Sequence, residues 1–233
     1  MLKIWIIGIH KKEKYGQYSR IAFNYIEAIE ATGLAIPYII PCNTKHIDWH
    51  IENCDGFIFP WWQDIDPKIY NKENCGSKES IIENDIVLLD AIQKIEKTDK
   101  LLFGICRGMQ LINVYYEWTL IQHIENSDAH DDIKAENRIA HDIILWEWTF
   151  LREAFWTKKI EVNSIHHQAI EKLWEWIESI AHSDDGYIEW IQVNGKNILW
   201  VQWHPELLSD HRILFQTLFE KFINNTLKNT NVI

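Results

Sequence analysis

Residues 101–114 read Leu101-Leu102-Phe103-Gly104-Ile105-Cys106-Arg107-Gly108-Met109-Gln110-Leu111-Ile112-Asn113-Val114. Leu101–Ile105 reads as a buried apolar strand, and a helical run follows from Met109 to Tyr115. Gly104 and Gly108 stand two before and two after Cys106. A nucleophile on a tight strand-to-helix turn needs small residues at those two places, because the backbone there is strained and passes close to its neighbours. Such a turn presents the sulfur at the C-terminal edge of the sheet, where open α/β folds place their sites. It also sets the sulfur at the positive end of the helix, which favours the thiolate. The Arg107 backbone N–H points the same way and can stabilise a developing oxyanion. A buried cysteine in a glycine-rich turn satisfies the same short pattern, so this stretch alone leaves two readings open.

The flanking sequence extends the alternation. Ile4–Ile9 reads as a first strand, and Ser19 is placed to cap a helix from about Ile21 to Thr32, with Gly33 as its stop. Ala35–Ile40 is a second strand ended by Pro41, and Gly56–Phe59 a third that opens into Pro60-Trp61-Trp62-Gln63-Asp64. Ser80–Lys97 is helical by period. Strand, helix, strand, strand, helix, strand, helix implies an open, mainly parallel sheet with helices on both faces. Further on, Tyr187–Val193 and Asn197–Trp203 flank Asn194-Gly195, a strong hairpin signal. A last amphipathic helix runs from about Asp210 to Leu227. Glu125–Asn137 is polar and acidic and predicts a mobile surface loop. With no linker and no internal repeat, residues 1–233 read as one domain.

Composition narrows the function classes. The chain has 233 residues with 23 basic against 34 acidic side chains, a formal net charge of −11. Neither nucleic acid nor an anionic membrane fits that balance as main partner, although a small basic pocket remains allowed. The four cysteines, Cys42, Cys54, Cys75 and Cys106, form no CxxC pair. They read as reduced thiols of a cytoplasmic protein. The apolar run Ile4–Ile9 is too short for a signal segment or a membrane span. No nucleotide-binding glycine pattern occurs, so no cofactor is expected. His123, His130, His141, His166 and His167 show no i, i+4 pair on a convincing helix and no HExxH, so spacing gives no metal site. Thirteen tryptophans is a large number for this length.

A second motif is Gln202-Trp203-His204-Pro205-Glu206, just past the hairpin. In extended backbone, residues two apart face one side, which sets the Glu206 carboxylate beside the His204 ring to fix its tautomer and stabilise the imidazolium. A thiolate and an oriented imidazole are what cysteine-based acyl transfer requires. Read together, Cys106, His204 and Glu206 form a candidate triad.

These two motifs, with Asn163-Ser164-Ile165-His166-His167-Gln168-Ala169, resemble the class I glutamine amidotransferase-like superfamily. Within it the sequence is most similar to free-standing gamma-glutamyl hydrolases such as gamma-glutamyl-gamma-aminobutyrate hydrolase. Asp64-Ile65-Asp66-Pro67 and Tyr70 add to the likeness. The resemblance implies a flavodoxin-like α/β fold and hydrolysis of a small-molecule γ-glutamyl amide through a thioester on Cys106. His204 would be general base and then acid, and Glu206 the orienting carboxylate. It implies Gln110, His166 and His167 as substrate-binding residues. A glutaminase subunit delivering ammonia to a synthase partner is the alternative activity, and a homodimer the alternative assembly.

The sequence departs from the superfamily pattern in one consistent way. Trp61-Trp62 stand where Gly-Gly usually supplies the second oxyanion donor, so the oxyanion hole would be Arg107 with Trp61 and Trp62. A bulky residue where that loop needs φ > 0 costs roughly 1–3 kcal/mol. A catalytically impaired relative is therefore a third reading. Glu117-Trp118, Trp148, Trp156, Trp176 and Trp200 also stand where glycine is usual.

Overall fold

The computed structural model describes residues 1–42, 44–60, 63–125, 127–130, 139–147, 152, 156–173, 177–193, 198–207 and 216–224. In chain order its strands are β1 (Leu2–Glu13), β2 (Gly16–Arg20), β3 (Ala35–Pro41), β4 (Gly56–Phe59), β5 (Leu101–Ile105), β6 (Leu120–Ile121), β7 (His141–Leu145), β8 (Lys159–Val162), β9 (Ala169–Ile170), β10 (Ile177–Ser183), β11 (Ile188–Val193) and β12 (Ile198–Val201). The longer helices are α1 (Phe23–Ala31), α2 (Ile47–Asn53), α3 (Ile82–Ile95) and α4 (Arg107–Tyr115).

Five strands are parallel, in the order β3-β1-β4-β5-β12. Numbered among themselves they run 2-1-3-4-5, the flavodoxin-like order. Beyond β12 the sheet continues antiparallel through β11, β10, β7 and β8. Period-two alternation explains why both faces need a cover. On β1, Ile4 and Ile6 join the core that α1 and the helical residues 216–224 cover, through Tyr25, Ala28, Ile29, Phe219 and Phe222. Trp5 and Ile7 point into the opposite core, with Ile51 of α2, Leu88 and Ile92 of α3, and Met109 and Ile112 of α4.

The tryptophans divide between these cores and the surface. Trp5, Trp190, Trp200 and Trp203 are wholly buried, whereas Trp49, Trp146 and Trp156 are exposed. Trp200 sits opposite Gly104 in the β12–β5 pairing, and its indole lies beside the Tyr116 ring, the centroids 6.2 Å apart. Two of the positions where the resemblance leads to an expectation of glycine hold φ > 0: Glu117 at 69° and Trp156 at 52°. Trp148 and Trp176 lie outside the described residues.

Three local expectations are corrected. Ser19 does not cap α1: it lies in β2, opposite His10, and its hydroxyl donates to the Gly8 carbonyl, while the helix starts at Phe23 with no side-chain cap. β1 runs on to Glu13 and folds back as β2 because the charged stretch 10–20 is a solvent-facing ribbon with no apolar period to reveal it. Within the predicted loop 125–137, residues Ser127–His130 form a helical turn, and His130 is buried. The rest of that loop, apart from Glu125, lies outside the described residues. No helix among the described residues is long and apolar enough to cross a membrane.

Candidate active site

The turn between β5 and α4 is built as the glycine spacing requires. Cys106 caps α4 with φ 51° and ψ −105°, a conformation that costs about 1–3 kcal/mol and persists only when its surroundings enforce it. The enforcement is visible. A Cβ on Gly108 would lie 2.2 Å from the Phe59 carbonyl oxygen, and one on Gly104 would lie 2.8 Å from the Gly108 carbonyl carbon. The Cys106 N–H donates to the Val201 carbonyl at 2.8 Å, fastening the turn to the end of β12. α4 starts at Arg107, two residues before the expected helical run. The Arg107 N–H thus belongs to the first helical turn, where N–H groups have no intrahelical acceptor.

His204 and Glu206 follow β12. His204 Nδ1 and Glu206 Oε1 are 2.9 Å apart, and both side chains are fully buried. The contact forms by a different route from the one expected. Pro205–Leu207 is a 3-10 turn, closed by Leu207 N–H donating to the His204 carbonyl, and the carboxylate folds back onto the ring. Asn163 clamps the histidine backbone from the side, its Nδ2 donating to the His204 carbonyl at 2.7 Å and its Oδ1 accepting from the His204 N–H at 2.9 Å. Burial works against an imidazolium here, yet the Glu206 carboxylate and then the Cys106 sulfur lift His204 to about 10. The ring is a strong proton acceptor held between nucleophile and carboxylate.

A chain of amides leads to the sulfur. Gln110 Nε2 donates to the Gln168 carbonyl at 3.0 Å and to Gln202 Oε1 at 3.1 Å, and Gln202 Nε2 donates to Cys106 Sγ at 3.4 Å. Gln110 thus engages the protein through both of those contacts. The Arg107 side chain pairs with Asp85 of α3, both deeply buried. Asp85 also accepts from the Asp66 N–H at 2.8 Å, tying α3 to the segment that follows β4.

His166 and His167 diverge. His167 Nε2 meets the Asp64 carboxylate at 2.9 Å. His166 turns inward, its Nε2 lying 3.4 Å from Glu189 Oε1. Their loop abuts the nucleophile, with the Ile165 carbonyl 4.0 Å from Cys106 Sγ. Trp61 and Trp62 lie outside the described residues. Gly108 packed against Phe59 nonetheless brings the end of β4, from which they leave, against the start of α4.

Gln202, Asn163, Asp85 and Glu189 contact the candidate site or its supports, and sequence reasoning did not single them out. Gln202 had a signal in its place, two residues before His204 on the same strand exit. Glu189 had none: burial pushes its carboxyl up to about 7, and nothing in the run Ile188–Val193 marks it from an ordinary alternating strand.

The Peptidase C26 family model matches residues 6–206. A candidate glutamine amidotransferase-like protein of Rickettsia prowazekii is 31% identical, the alignment covering 86% of each chain. The gamma-glutamyl-gamma-aminobutyrate hydrolase PuuD of Escherichia coli K12 is 26% identical over 85% of this chain and 83% of its own. Among solved structures, a candidate GMP synthase subunit from Thermoplasma acidophilum superposes with a TM-score of 0.69 at 14% identity, covering 100% of this chain and 97% of that one. This last likeness is one of fold.

Proposed function

Because the chain belongs to the Peptidase C26 family, we propose that it hydrolyses a γ-glutamyl amide with Cys106 as nucleophile, His204 as proton carrier and Glu206 as the carboxylate that orients the ring. The observation that carries this reading is the buried His204–Glu206 pair beside a cysteine held at φ 51°. A strained, positioned thiol next to an oriented imidazole is the arrangement that acyl transfer needs.

In this reading Cys106 passes its proton to His204, and the sulfur attacks the γ-carbonyl carbon. The developing oxyanion is met by the Arg107 N–H and by a backbone N–H of the Trp61-Trp62 loop. Each such donor is worth on the order of 10²–10³ in rate. Collapse expels the amine, which takes its proton from His204 and leaves a γ-glutamyl thioester. His204 then draws a proton from water, the hydroxide displaces the sulfur, and the acid departs. Gln110 acts through Gln202 to hold the sulfur in place, and the loop bearing His166 and His167 forms the adjoining wall of the substrate pocket. The name of the Escherichia coli relative supports a γ-glutamyl acyl group as substrate.

The test is turnover of glutamine, γ-glutamyl-aminobutyrate and a γ-glutamyl anilide by the intact chain, with intact-mass detection of the acyl adduct. Amine release, with an adduct that disappears in Cys106→Ala, is the expected result. Absence of both turnover and adduct in a protein that unfolds cooperatively would overturn the proposal.

A further inference from the structure

Two strands away from the one that leads to the thiol, four side chains from four separate segments converge. His130 comes from the helical turn Ser127–His130, His141 from the start of β7, His166 from the loop before β9, and Glu189 from β11. One nitrogen or oxygen of each lies within 4.8 Å of all the others. Glu189 Oε1 is 3.4 Å from His166 Nε2, 3.5 Å from His141 Nε2 and 3.9 Å from His130 Nδ1. Donors around a tetrahedral zinc, at metal distances near 2.0–2.1 Å, stand about 3.3–3.4 Å apart. Two of the Glu189 distances already match that spacing, and the rest of the group, within 4.8 Å, would draw in around an ion.

The opposite nitrogens show which atoms face inward as acceptors. His130 Nε2 meets the Asp185 carboxylate at 3.0 Å, His166 Nδ1 the Gln168 carbonyl at 3.0 Å, and His141 Nδ1 the Asp142 carbonyl at 3.3 Å. None of those three oxygens can donate, so the hydrogen belongs to the ring nitrogen in each pair, and in the neutral ring the inner nitrogen presents a lone pair. An outer acceptor on each ring is also how metal-binding histidines are oriented. Ser164 Oγ lies 3.4 Å from His130 Nδ1 at the margin of the group. Both Glu189 oxygens and His141 Nε2 are buried with no hydrogen-bond partner among the described residues, and the Glu189 side chain is completely enclosed. A carboxylate facing lone pairs in a dry interior is unfavourable, and either a proton or a metal cation among them relieves it.

We propose that His130, His141, His166 and Glu189 bind one divalent transition-metal ion, zinc by preference, in a closed four-ligand structural site. Three imidazoles and one carboxylate suit zinc and exclude magnesium or calcium, which take oxygen ligands. The spacings 130, 141, 166 and 189 follow no linear metal motif, which is why sequence spacing gave no such site. Bound there, the ion ties β7 and β11 to the loop that carries His166 and His167. Glu189 is in turn joined by its backbone carbonyl to the Gln202 N–H at 2.8 Å, one hydrogen bond from the residue that contacts the thiol.

The experiment uses the whole chain, stripped with a chelator and titrated with Zn²⁺ alone. Metal content, calorimetry and thermal unfolding are recorded for wild type, Cys106→Ala, Glu189→Gln and His141→Ala. Expected are about one equivalent of zinc in wild type and equally in Cys106→Ala. At a hundredfold excess over Kd the unfolding midpoint should rise by about 5–10 °C. Both responses should be lost in Glu189→Gln and His141→Ala. Cobalt should give the intense visible bands of a tetrahedral centre in wild type, a reading that holds even if a variant does not fold. No stoichiometric zinc in folded wild type overturns the proposal, as does zinc that survives Glu189→Gln or disappears in Cys106→Ala. None of these readouts depends on hydrolysis.

Discussion

Replacing Gly108 by alanine tests whether the nucleophile turn is held by contact between α4 and the end of β4. The added Cβ would stand 2.2 Å from the Phe59 carbonyl oxygen, and such a contact must open to at least 3.0 Å. Either α4 or the β4 exit must therefore move by about 0.8 Å, and both are packed on Leu88, Met109 and Phe57 in one core. Overpacking of this kind costs 1–3 kcal/mol. The clash is with backbone on a buried strand, so about 2–3 kcal/mol is expected, a drop in unfolding midpoint of about 4–12 °C for a chain of this size. A shift near 1 Å between nucleophile and oxyanion donors should lower kcat/KM about a hundredfold. Gly186→Ala is the control: its φ is +92° but nothing lies within 4 Å of the added Cβ, so it should lose about 1 kcal/mol and keep full activity. Thermal unfolding and γ-glutamyl anilide hydrolysis measure both effects. A Gly108→Ala protein with wild-type midpoint and wild-type kcat/KM would refute the reasoning.

Asp85→Asn should cost about 3–5 kcal/mol in urea unfolding, because it strands the Arg107 guanidinium in the core without its counter-charge; a change under about 1 kcal/mol would contradict this. Since folding lifts His204 to about 10, above an unfolded value near 6.5, the stability this adds is complete below about pH 6.5 and is lost as pH rises toward 10. Urea midpoints of the wild type should fall across that window and those of Glu206→Gln should fall less; parallel slopes would count against the pair. Trp156→Gly should stabilise by about 0.5–1 kcal/mol, since the indole is 94% exposed and its φ of 52° suits glycine. A lowered midpoint in that variant would show that the indole has a packing role.

The parallel half of the fold was legible because each strand holds a short, mainly apolar run, and three of the four helices beside it are long enough to show a period. β4 and β5 match their expected bounds, and β1 and β3 start or end within a few residues of theirs. α2 escaped notice because seven residues are too few for a helical period to show. β7, β8 and β10 are short or half-polar strands whose identity comes from their neighbours rather than from their own residues. Cys106, His204 and Glu206 could be picked out because their motifs are local. Asn163 and Gln202 act through contacts 41 and 96 residues distant in sequence, and the His130–Glu189 group through four segments at once. Spacing arguments see ligands on one helix and are blind to that kind of convergence.

The place of β12 between β5 and β11 has a consequence for how the chain is made. His204 and Glu206 reach Cys106 only when a strand near residue 200 inserts beside one near residue 103, closing a loop of almost a hundred residues. Such distant pairing forms late. On the ribosome the thiol therefore emerges long before its base, and it stays unarmed through most of synthesis. Until β12 arrives, β5 also has an open edge of five apolar or small residues, the type of edge that recruits other chains. A product stopped before residue 198 should accordingly be found in the insoluble fraction rather than as a smaller, silent enzyme.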